Sequence, residues 1–275
     1  DLRHVVQTAL ERNRKKYDLQ SKQLKGTEKR DKYKVYGELI NTYGYNLEPG
    51  SKELTALNYY TNEEITIPLD PTQTPGENAQ RYFAKYNKQK RTFEALTELI
   101  QETADDIQYL ESISNALDIA LNEADLAQIK EELMQSGYIR RKHTKKKVKL
   151  TSKPMHYISS DGYDMYVGKN NLQNEELTFS FANGNDWWFH AKGAPGSHVI
   201  VKSGGDELPD RTFEEAGRLA AYYSKNRGAD KVEIDYIQKK HVKKPNGAKP
   251  GFVVYYTNYS LVIDSDISNI KNVQD

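Results

Sequence analysis

Two stretches of the chain carry apolar and aromatic side chains at alternating spacings of four and three residues, which is typical of a coiled-coil seam. In the second stretch, from Glu77 to about Leu121, the seam positions are Tyr82, Tyr86, Gln89, Phe93, Leu96, Ile100, Thr103, Ile107 and Leu110. The first stretch, from Leu2 to about Tyr43, has a more polar seam: Val6, Leu10, Asn13, Tyr17, Gln20, Leu24 and Thr27, then Tyr33, Tyr36, Ile40 and Tyr43. Because a helix with so polar a seam needs a partner to be stable, the two stretches are predicted to pair as an antiparallel coiled-coil hairpin.

The connection between these helices, residues 44–76, is too long for a simple turn. Within it, Leu57–Pro68 is predicted to form two short strands around a turn at Thr61 and Asn62. Three prolines then interrupt regular structure: Pro68, Pro71 and Pro75. We expect a small β tip that serves either as a contact surface or only to close the hairpin.

The sharpest change in composition follows a short predicted helix, Asp125–Gln135, which Gly137 closes. Residues 138–150 contain seven basic residues and no acidic one: Arg140, Arg141, Lys142, Lys145, Lys146, Lys147 and Lys149. We therefore divide the chain into a coiled-coil arm with its tip (1–137), a basic linker (138–150) and a second domain (151–275).

The second domain has the pattern of a mainly antiparallel sheet with one principal helix. Asp161-Gly162 is a hairpin turn pair, and Thr212–Glu215 matches a capping box that opens an amphipathic helix. The predicted strands are 156–158, 165–167, 177–182, 187–192, 198–202, 232–237, 252–256 and 261–263. The predicted fold class is therefore α+β: a long antiparallel coiled-coil hairpin with a small β tip, followed by a compact, mainly antiparallel α+β domain.

The densest group of chemically active side chains lies in Asp186–Lys202. Strand alternation assigns one set to the core: Trp187, Phe189, Ala191, Val199 and Val201. The opposite, polar face receives Trp188, His190, Lys192, His198, Ile200 and Lys202. Such a face suits a nucleic-acid backbone, and we expect Trp187 to lie in the core and Trp188 to be exposed and able to stack on a base. The alternative is that the two histidines pack structurally at the end of a hairpin.

A second basic segment, residues 239–251, lies between two apolar strands and contains Lys239, Lys240, Lys243, Lys244 and Lys249. The formal net charge of the whole chain is only +1, so a signal for a polyanionic partner must come from the distribution of charge. Positive charge is gathered in this loop and in the linker. That distribution is typical of a phosphate-binding surface. The predicted RNA-binding residues are Arg140, Arg141, Lys145, Lys146, Lys147, Trp188, His190, Lys192, His198, Lys202, Lys239, Lys240, Lys243, Lys244 and Lys249.

Catalysis is not expected from this sequence. Asp186, His190, Ser197 and His198 are residue types of a hydrolase triad or a metal site, but the chain has no nucleophile elbow, HExxH motif or phosphate-binding loop. The chain also contains no cysteine, which excludes disulfides, thiolate metal sites and cysteine nucleophiles. We expect no cofactor and no metal.

Neither end of the chain nor its interior carries a segment apolar enough to span a bilayer, so membrane insertion is not expected. The first residues, Asp1–Val6, lack an initiator Met and already have the character of a helix interior. We expect the chain to be a fragment.

Several long motifs, in the same order along the chain, resemble the NFACT family. Its coiled-coil middle region is matched by Asn58–Thr61, Ile65–Pro71 and Glu77–Phe83. Its RNA-binding NFACT-R domain is matched by Asp161–Asn171, Asp186–Lys192 and Pro195–Val199. The resemblance covers essentially the whole chain and leaves the family's NFACT-N and helix-hairpin-helix domains without a counterpart.

The resemblance implies a cytoplasmic bacterial ribosome-quality-control factor that works by binding. Its partners would be the obstructed large ribosomal subunit, both rRNA and proteins, together with peptidyl-tRNA and alanyl-tRNA, so that the stalled chain receives an alanine tail. An older family name implies an alternative, a fibronectin-binding adhesin that reaches the cell surface by an anchorless route. The two basic segments should matter greatly for RNA binding and less for a protein ligand.

Overall fold

A computed structural model of the chain describes residues 1–142 and 148–273. Lys145, Lys146 and Lys147 of the predicted basic linker lie outside the described residues. The chain divides into two compact units. The arm unit is Asn13–Asp105, and the sheet unit is Asp1–Arg12 together with the chain from Asp106 onward.

The predicted helical hairpin is confirmed. Helices α1 (Leu2–Gly26) and α2 (Arg30–Tyr43) form its first side, and α3 (Pro75–Ile119) forms its second. In the arm unit, even polar seam positions are paired, because Thr103 Oγ1 donates to Gln20 Oε1 at 2.8 Å in a buried position. In the sheet unit, Val6 and Leu10 pack against Leu110. The chain enters the β tip through a short 3-10 turn, Gly44–Asn46.

The tip of the hairpin is the predicted pair of short strands. β1 (Glu53–Asn58) pairs antiparallel with β2 (Glu63–Pro68). Asn62 closes the turn with a φ of 57°, a left-handed conformation that asparagine tolerates better than most residues. The core beneath the tip is built from Leu39, Ile40, Leu54, Ala56, Ile67, Ala79 and Tyr82.

The sheet unit contains a seven-stranded antiparallel sheet in the order β8-β7-β5-β6-β4-β3-β9. Its strands are β3 (Met155–Ile158), β4 (Asp164–Val167), β5 (Trp187–Ala191), β6 (Val199–Val201), β7 (Val232–Gln238), β8 (Tyr259–Ile263) and β9 (Lys271–Asn272). Its helices are α4 (Glu123–Gln135), α5 (Asn171–Glu176) and α6 (Asp210–Tyr222), with a π-helical turn at Leu177–Phe181 and a 3-10 turn at Lys239–His241. Gly162 has a φ of 89° in the predicted turn between β3 and β4.

Both faces of this sheet are covered. On one face, α6 packs its alanines and Leu219 onto Phe189, Ala191, Val199 and Val201. On the other face, Leu177, Ala182 and Val242 cover Trp188, Ile200 and Ile237. No helix in the described ranges, 1–142 and 148–273, is long and apolar enough to cross a membrane.

Two predicted strands are wrong. Residues 177–182 alternate apolar and polar side chains, but they continue α5 as a π-helical turn. Asn170 caps the N-terminus of α5: its side-chain oxygen accepts a hydrogen bond from the backbone N of Gln173, and this cap outweighs the alternation. Residues 252–256 form no strand either; Val254 makes only an isolated bridge with Lys243.

The predicted capping box at Thr212–Glu215 is also wrong, because α6 begins earlier, at Asp210. The Thr212 hydroxyl donates instead to Asp161 Oδ2 at 3.1 Å. The Glu215 carboxylate accepts from the backbone N of Ser160 at 2.9 Å. The two side chains therefore hold the β3–β4 turn onto the helix.

Candidate nucleic-acid interface

The basic turn, residues 239–251, follows β7 and is held by the loop that precedes β5. The backbone N of Lys239 donates to Asp186 O at 2.8 Å, and that of Lys240 donates to Gly184 O at 3.1 Å. Val242 is 3% exposed and packs in the cluster with Trp188 and Ile200. The backbones of Lys243 and Val254 exchange two hydrogen bonds. The first half of the turn is therefore fixed by backbone bonds that leave its lysine side chains free.

Three lysines of this first half form a cationic surface. Lys240 and Lys243 are exposed, and Lys239 is half-buried. Within the part of the chain that the structure describes, none of the three has a carboxylate within ion-pairing distance. Their charges are therefore available to an external anion, which is the arrangement expected of phosphate contacts.

The other two lysines of the basic turn are engaged within the protein. Lys244 forms an ion pair with Glu175 of α5. Lys249 Nζ lies 2.5 Å from Asp106 Oδ1 and 4.9 Å from the centre of the Tyr109 ring. These pairs attach the second half of the turn to α5 and α3, so Lys244 and Lys249 offer less free charge than their neighbours.

Trp188 is buried, so the expectation that it is exposed and stacks on a base is wrong. Its side chain is 1% exposed and lies among His190, His198 and Tyr255, with ring centroids 5.7, 5.2 and 4.9 Å away. Alternation correctly groups Trp188 with Ile200, its register partner on β6. The face they share is covered by a second layer, so it does not meet solvent.

The two histidines of that face, His190 and His198, are packed within the protein. Burial lowers the pKa of His190, and burial together with the neighbouring His190 lowers the pKa of His198 to about 3. His198 is 3% exposed, with its Nδ1 2.8 Å from Thr178 Oγ1 and its backbone N bonded to Asn174 Oδ1. Both imidazoles are neutral near pH 7 and add no positive charge, in agreement with the alternative that they pack structurally.

Lys192 and Lys202 each lie beside a carboxylate. Lys192 is exposed and lies 3.1 Å from Glu233, which raises the lysine pKa. Lys202 Nζ lies 2.7 Å from Asp186 Oδ2 and 4.6 Å from the Phe181 ring. Both remain candidates for RNA contact, but a phosphate would have to compete with the neighbouring carboxylate for the lysine.

The Asp186 side chain holds together the loops on either side of β5 and β6. Its carboxylate accepts hydrogen bonds from the backbone N of Asn183 at 2.7 Å and of Ser203 at 3.0 Å, in addition to the Lys202 contact. These bonds fix the loop onto which the basic turn is attached. In the described residues no group of three or more His, Asp or Glu side chains is arranged to hold a metal ion.

Two of the five predicted RNA-binding residues of the linker are described. Arg140 is exposed, while Arg141 lies 2.5 Å from Glu131 of α4. Tyr138 and Ile139, just before them, pack on the core formed by α1, α3 and α4.

Sequence reasoning missed Glu132, a carboxyl buried in α4 at 1% exposure. Burial raises its pKa to about 7, with Glu175 of α5 adding to the rise and contacts with Asn171 and Tyr109 opposing it. The signal was present: Ile129, Glu132 and Leu133 fall on one helical stripe, where a glutamate is out of place.

Comparison with known proteins places these features in a family. The model of the NFACT N-terminal and middle domains matches residues 1–152, and that of the NFACT protein RNA binding domain matches residues 153–256. The curated Rqc2 homolog RqcH of Streptococcus pneumoniae is 42% identical over 270 residues, which are 98% of this chain and 48% of that protein. RqcH of Bacillus subtilis is 39% identical over 277 residues, which again cover 98% of this chain and 48% of that protein.

A solved structure is also similar: the C-terminal of the fibronectin/fibrinogen-binding protein from Streptococcus suis. It matches with a TM-score of 0.75 and 37% identity, covering 98% of this chain and 96% of that one. The chain spans about half the length of the curated relatives it matches.

Proposed function

This chain belongs to the NFACT family, and on that premise we propose that it is the RNA-binding C-terminal part of a ribosome-quality-control factor. The observation that carries the proposal is the 42% identity to RqcH along 98% of the chain, in which residues 153–256 match an RNA-binding domain. In the whole protein, the chain would bind obstructed large ribosomal subunits that carry peptidyl-tRNA. It would thereby support the addition of an alanine tail to the stalled chain.

The proposed division of labour follows the predicted domains. Residues 1–137 are the arm with its tip, 138–150 are a basic linker, and 151–275 contact RNA. The work is binding in the cytoplasm, to rRNA and tRNA, and needs no catalytic group. Supporting this, the basic turn carries Lys239, Lys240 and Lys243 on a backbone that hydrogen bonds hold in place.

The physical basis of binding is the release of counterions from the RNA backbone. Among the described residues, no carboxylate lies within ion-pairing distance of Lys239, Lys240 or Lys243, so each can meet a phosphate without first breaking an ion pair. Each phosphate contact makes the logarithm of the affinity fall with the logarithm of the salt concentration, by roughly 0.7 to 0.9 per contact. Affinity that depends steeply on salt is therefore expected of the chain.

The test is a triple charge reversal, Lys239→Glu, Lys240→Glu and Lys243→Glu, assayed by co-sedimentation with purified large subunits at several salt concentrations. We expect much weaker binding and a salt slope smaller in magnitude by about 2, since three contacts are lost. The matched control reverses Lys153, Lys231 and Lys271, which are exposed lysines of the same unit with no carboxylate at ion-pairing distance among the described residues.

The control has the same net charge as the test variant, so it separates a local surface from a general charge effect. Equal binding by the test variant and the unmodified chain would overturn the assignment of RNA contact to the basic turn. Equal loss in both variants would show that only overall charge matters.

A fibronectin-binding role is the second candidate, because the similar Streptococcus suis protein is named for binding fibronectin and fibrinogen. The same two variants distinguish it. Binding to immobilised fibronectin should be little changed by reversal at Lys239, Lys240 and Lys243 if the protein ligand uses another surface.

A further inference from the structure

Four aromatic rings meet at one end of the sheet, on the face that α6 covers: Trp187, Phe213, Tyr236 and Tyr259, which we call the aromatic platform. Trp187 lies 4.9 Å from Phe213 and 5.8 Å from Tyr236, measured between ring centroids. Tyr236 stacks on Tyr259 at 5.5 Å with an interplanar angle of 28°. The strand register explains the grouping, because Tyr236 is the partner of both Phe189 on β5 and Tyr259 on β8.

The platform is only partly covered. Helix α6 begins at Asp210, and its first turn supplies Phe213. Tyr259 is 59% exposed, and Trp187, Tyr236 and Phe213 are only partly buried. Contiguous apolar surface rimmed by polar groups is characteristic of a binding site. Tyr259, on the edge strand, is the ring that a ligand would reach most easily.

The basic turn begins at the same end of the sheet as the platform. Gln238 is the register partner of Trp187, and the next residue, Lys239, donates its backbone N to Asp186, the residue before Trp187. The first lysine of the turn therefore comes directly after β7, the strand that carries Tyr236 of the platform, and the turn continues toward the face on which Val242 packs. At another rim lies Asp210, whose charge acts on Tyr236. A strand of nucleic acid bound here would have its phosphates on the lysine side and away from Asp210.

We propose that the aromatic platform stacks unpaired bases of a single-stranded RNA segment whose phosphates bind Lys239, Lys240 and Lys243. This inference rests on the proposed function and names the kind of RNA that the site takes. Every base has a π face, so partly exposed rings beside a cationic surface suit unpaired nucleotides of any sequence. A duplex keeps its bases stacked inside and could use the lysines but not the rings.

The test compares Tyr259→Ala with the unmodified chain for binding to a short unstructured RNA and to its duplex with the complementary strand. Loss of one stacking ring should weaken binding to the single strand roughly five- to hundredfold, while duplex binding stays the same. Tyr259→Phe keeps the ring and should bind like the unmodified chain. Val262→Ala is the matched control, because Val262 is exposed on the same strand and points to the opposite face.

Intrinsic fluorescence gives an independent reading. Both tryptophans of the chain are adjacent, and only Trp187 has solvent-accessible ring surface, since Trp188 is 1% exposed. The single-stranded RNA should quench the emission, and Trp187→Phe should abolish that quenching. Quenching that persists in Trp187→Phe, or single-strand affinity unchanged in Tyr259→Ala, would overturn the platform.

The lysine reversal separates this inference from the proposed function. If the lysine reversal weakens binding to both RNAs while Tyr259→Ala weakens binding to neither, the aromatic platform does not stack bases, but the basic turn still binds RNA. If neither variant changes binding to either RNA, both proposals fail.

Discussion

Replacing Glu132 by glutamine removes a carboxyl that the fold holds in its interior, where α4 faces α5. The side chain is 1% exposed, and its pKa rises from the ordinary 4.5 to about 7, chiefly through burial. The ionisable groups that act on it are Glu175, which raises the pKa, and Tyr109, which lowers it; Lys244 is paired with Glu175. Because the pKa is higher in the folded state, the folded protein keeps the proton longer than the unfolded chain does.

The magnitude follows from this difference. Below pH 4.5 the carboxyl is protonated in both states and does not reduce the free energy of unfolding. As the pH rises through 7, the folded state must also ionise it, and the free energy of unfolding falls. The difference between 4.5 and about 7, at about 1.4 kcal/mol per pKa unit, corresponds to about 3–4 kcal/mol, most of it lost between about pH 5 and pH 8. Glutamine has nearly the same shape and no charge, so Glu132→Gln should lose none of it.

The assay is urea unfolding at several pH values, followed by the fluorescence of Trp187 and Trp188, which lie in the same unit as Glu132. The difference in the free energy of unfolding, variant minus unmodified chain, should grow by roughly 2–3 kcal/mol from low to high pH. The buried histidines affect both proteins equally and cancel in this difference. Glu176→Gln, which removes an exposed carboxylate from α5, is the control and should show no such growth.

A difference that stays constant with pH would mean that Glu132 ionises equally easily in the folded and unfolded states, and that its burial does not raise its pKa.

Two further substitutions test the packing of each unit. Gly168→Ala would place a Cβ 1.9 Å from Asn174 Oδ1, which is fixed by its bond to the backbone N of His198, so the urea midpoint of the sheet unit should fall by the equivalent of about 2–4 kcal/mol. Asn78→Ala removes a buried amide that bonds the backbone N and O of Asp70, and hydrogen exchange of the β1 and β2 amides should quicken as the tip loses about 2–4 kcal/mol.

The elements that the sequence predicted well are those with local causes. The hairpin follows from spacing along α1, α2 and α3, and the tip follows from Asn62, which accepts the left-handed turn between β1 and β2. Both signals can be seen in a short stretch of sequence, although the hairpin itself pairs residues as distant as Gln20 and Thr103. The grouping of Trp188 with Ile200 on one face was predictable for the same reason, because alternation is a property of the strand itself.

What covers a face is a tertiary matter and was not predictable in the same way. Trp188 is enclosed by Leu177 and Val242, which come from segments before and after the central strands. A clue existed, because β6 is Val-Ile-Val without alternation, and apolar residues on both faces are typical of a strand covered on both sides. The basic turn shows the same limit: Lys249 is paired with Asp106, 143 residues earlier.

RNA binding by this chain is tested most simply by co-sedimentation with purified, obstructed large ribosomal subunits over a salt series, with immobilised fibronectin assayed in parallel. We expect association with the subunits that weakens steeply as salt rises, because lysine–phosphate contacts carry much of the affinity. An absence of subunit binding at low salt, together with saturable binding to fibronectin, would contradict this expectation.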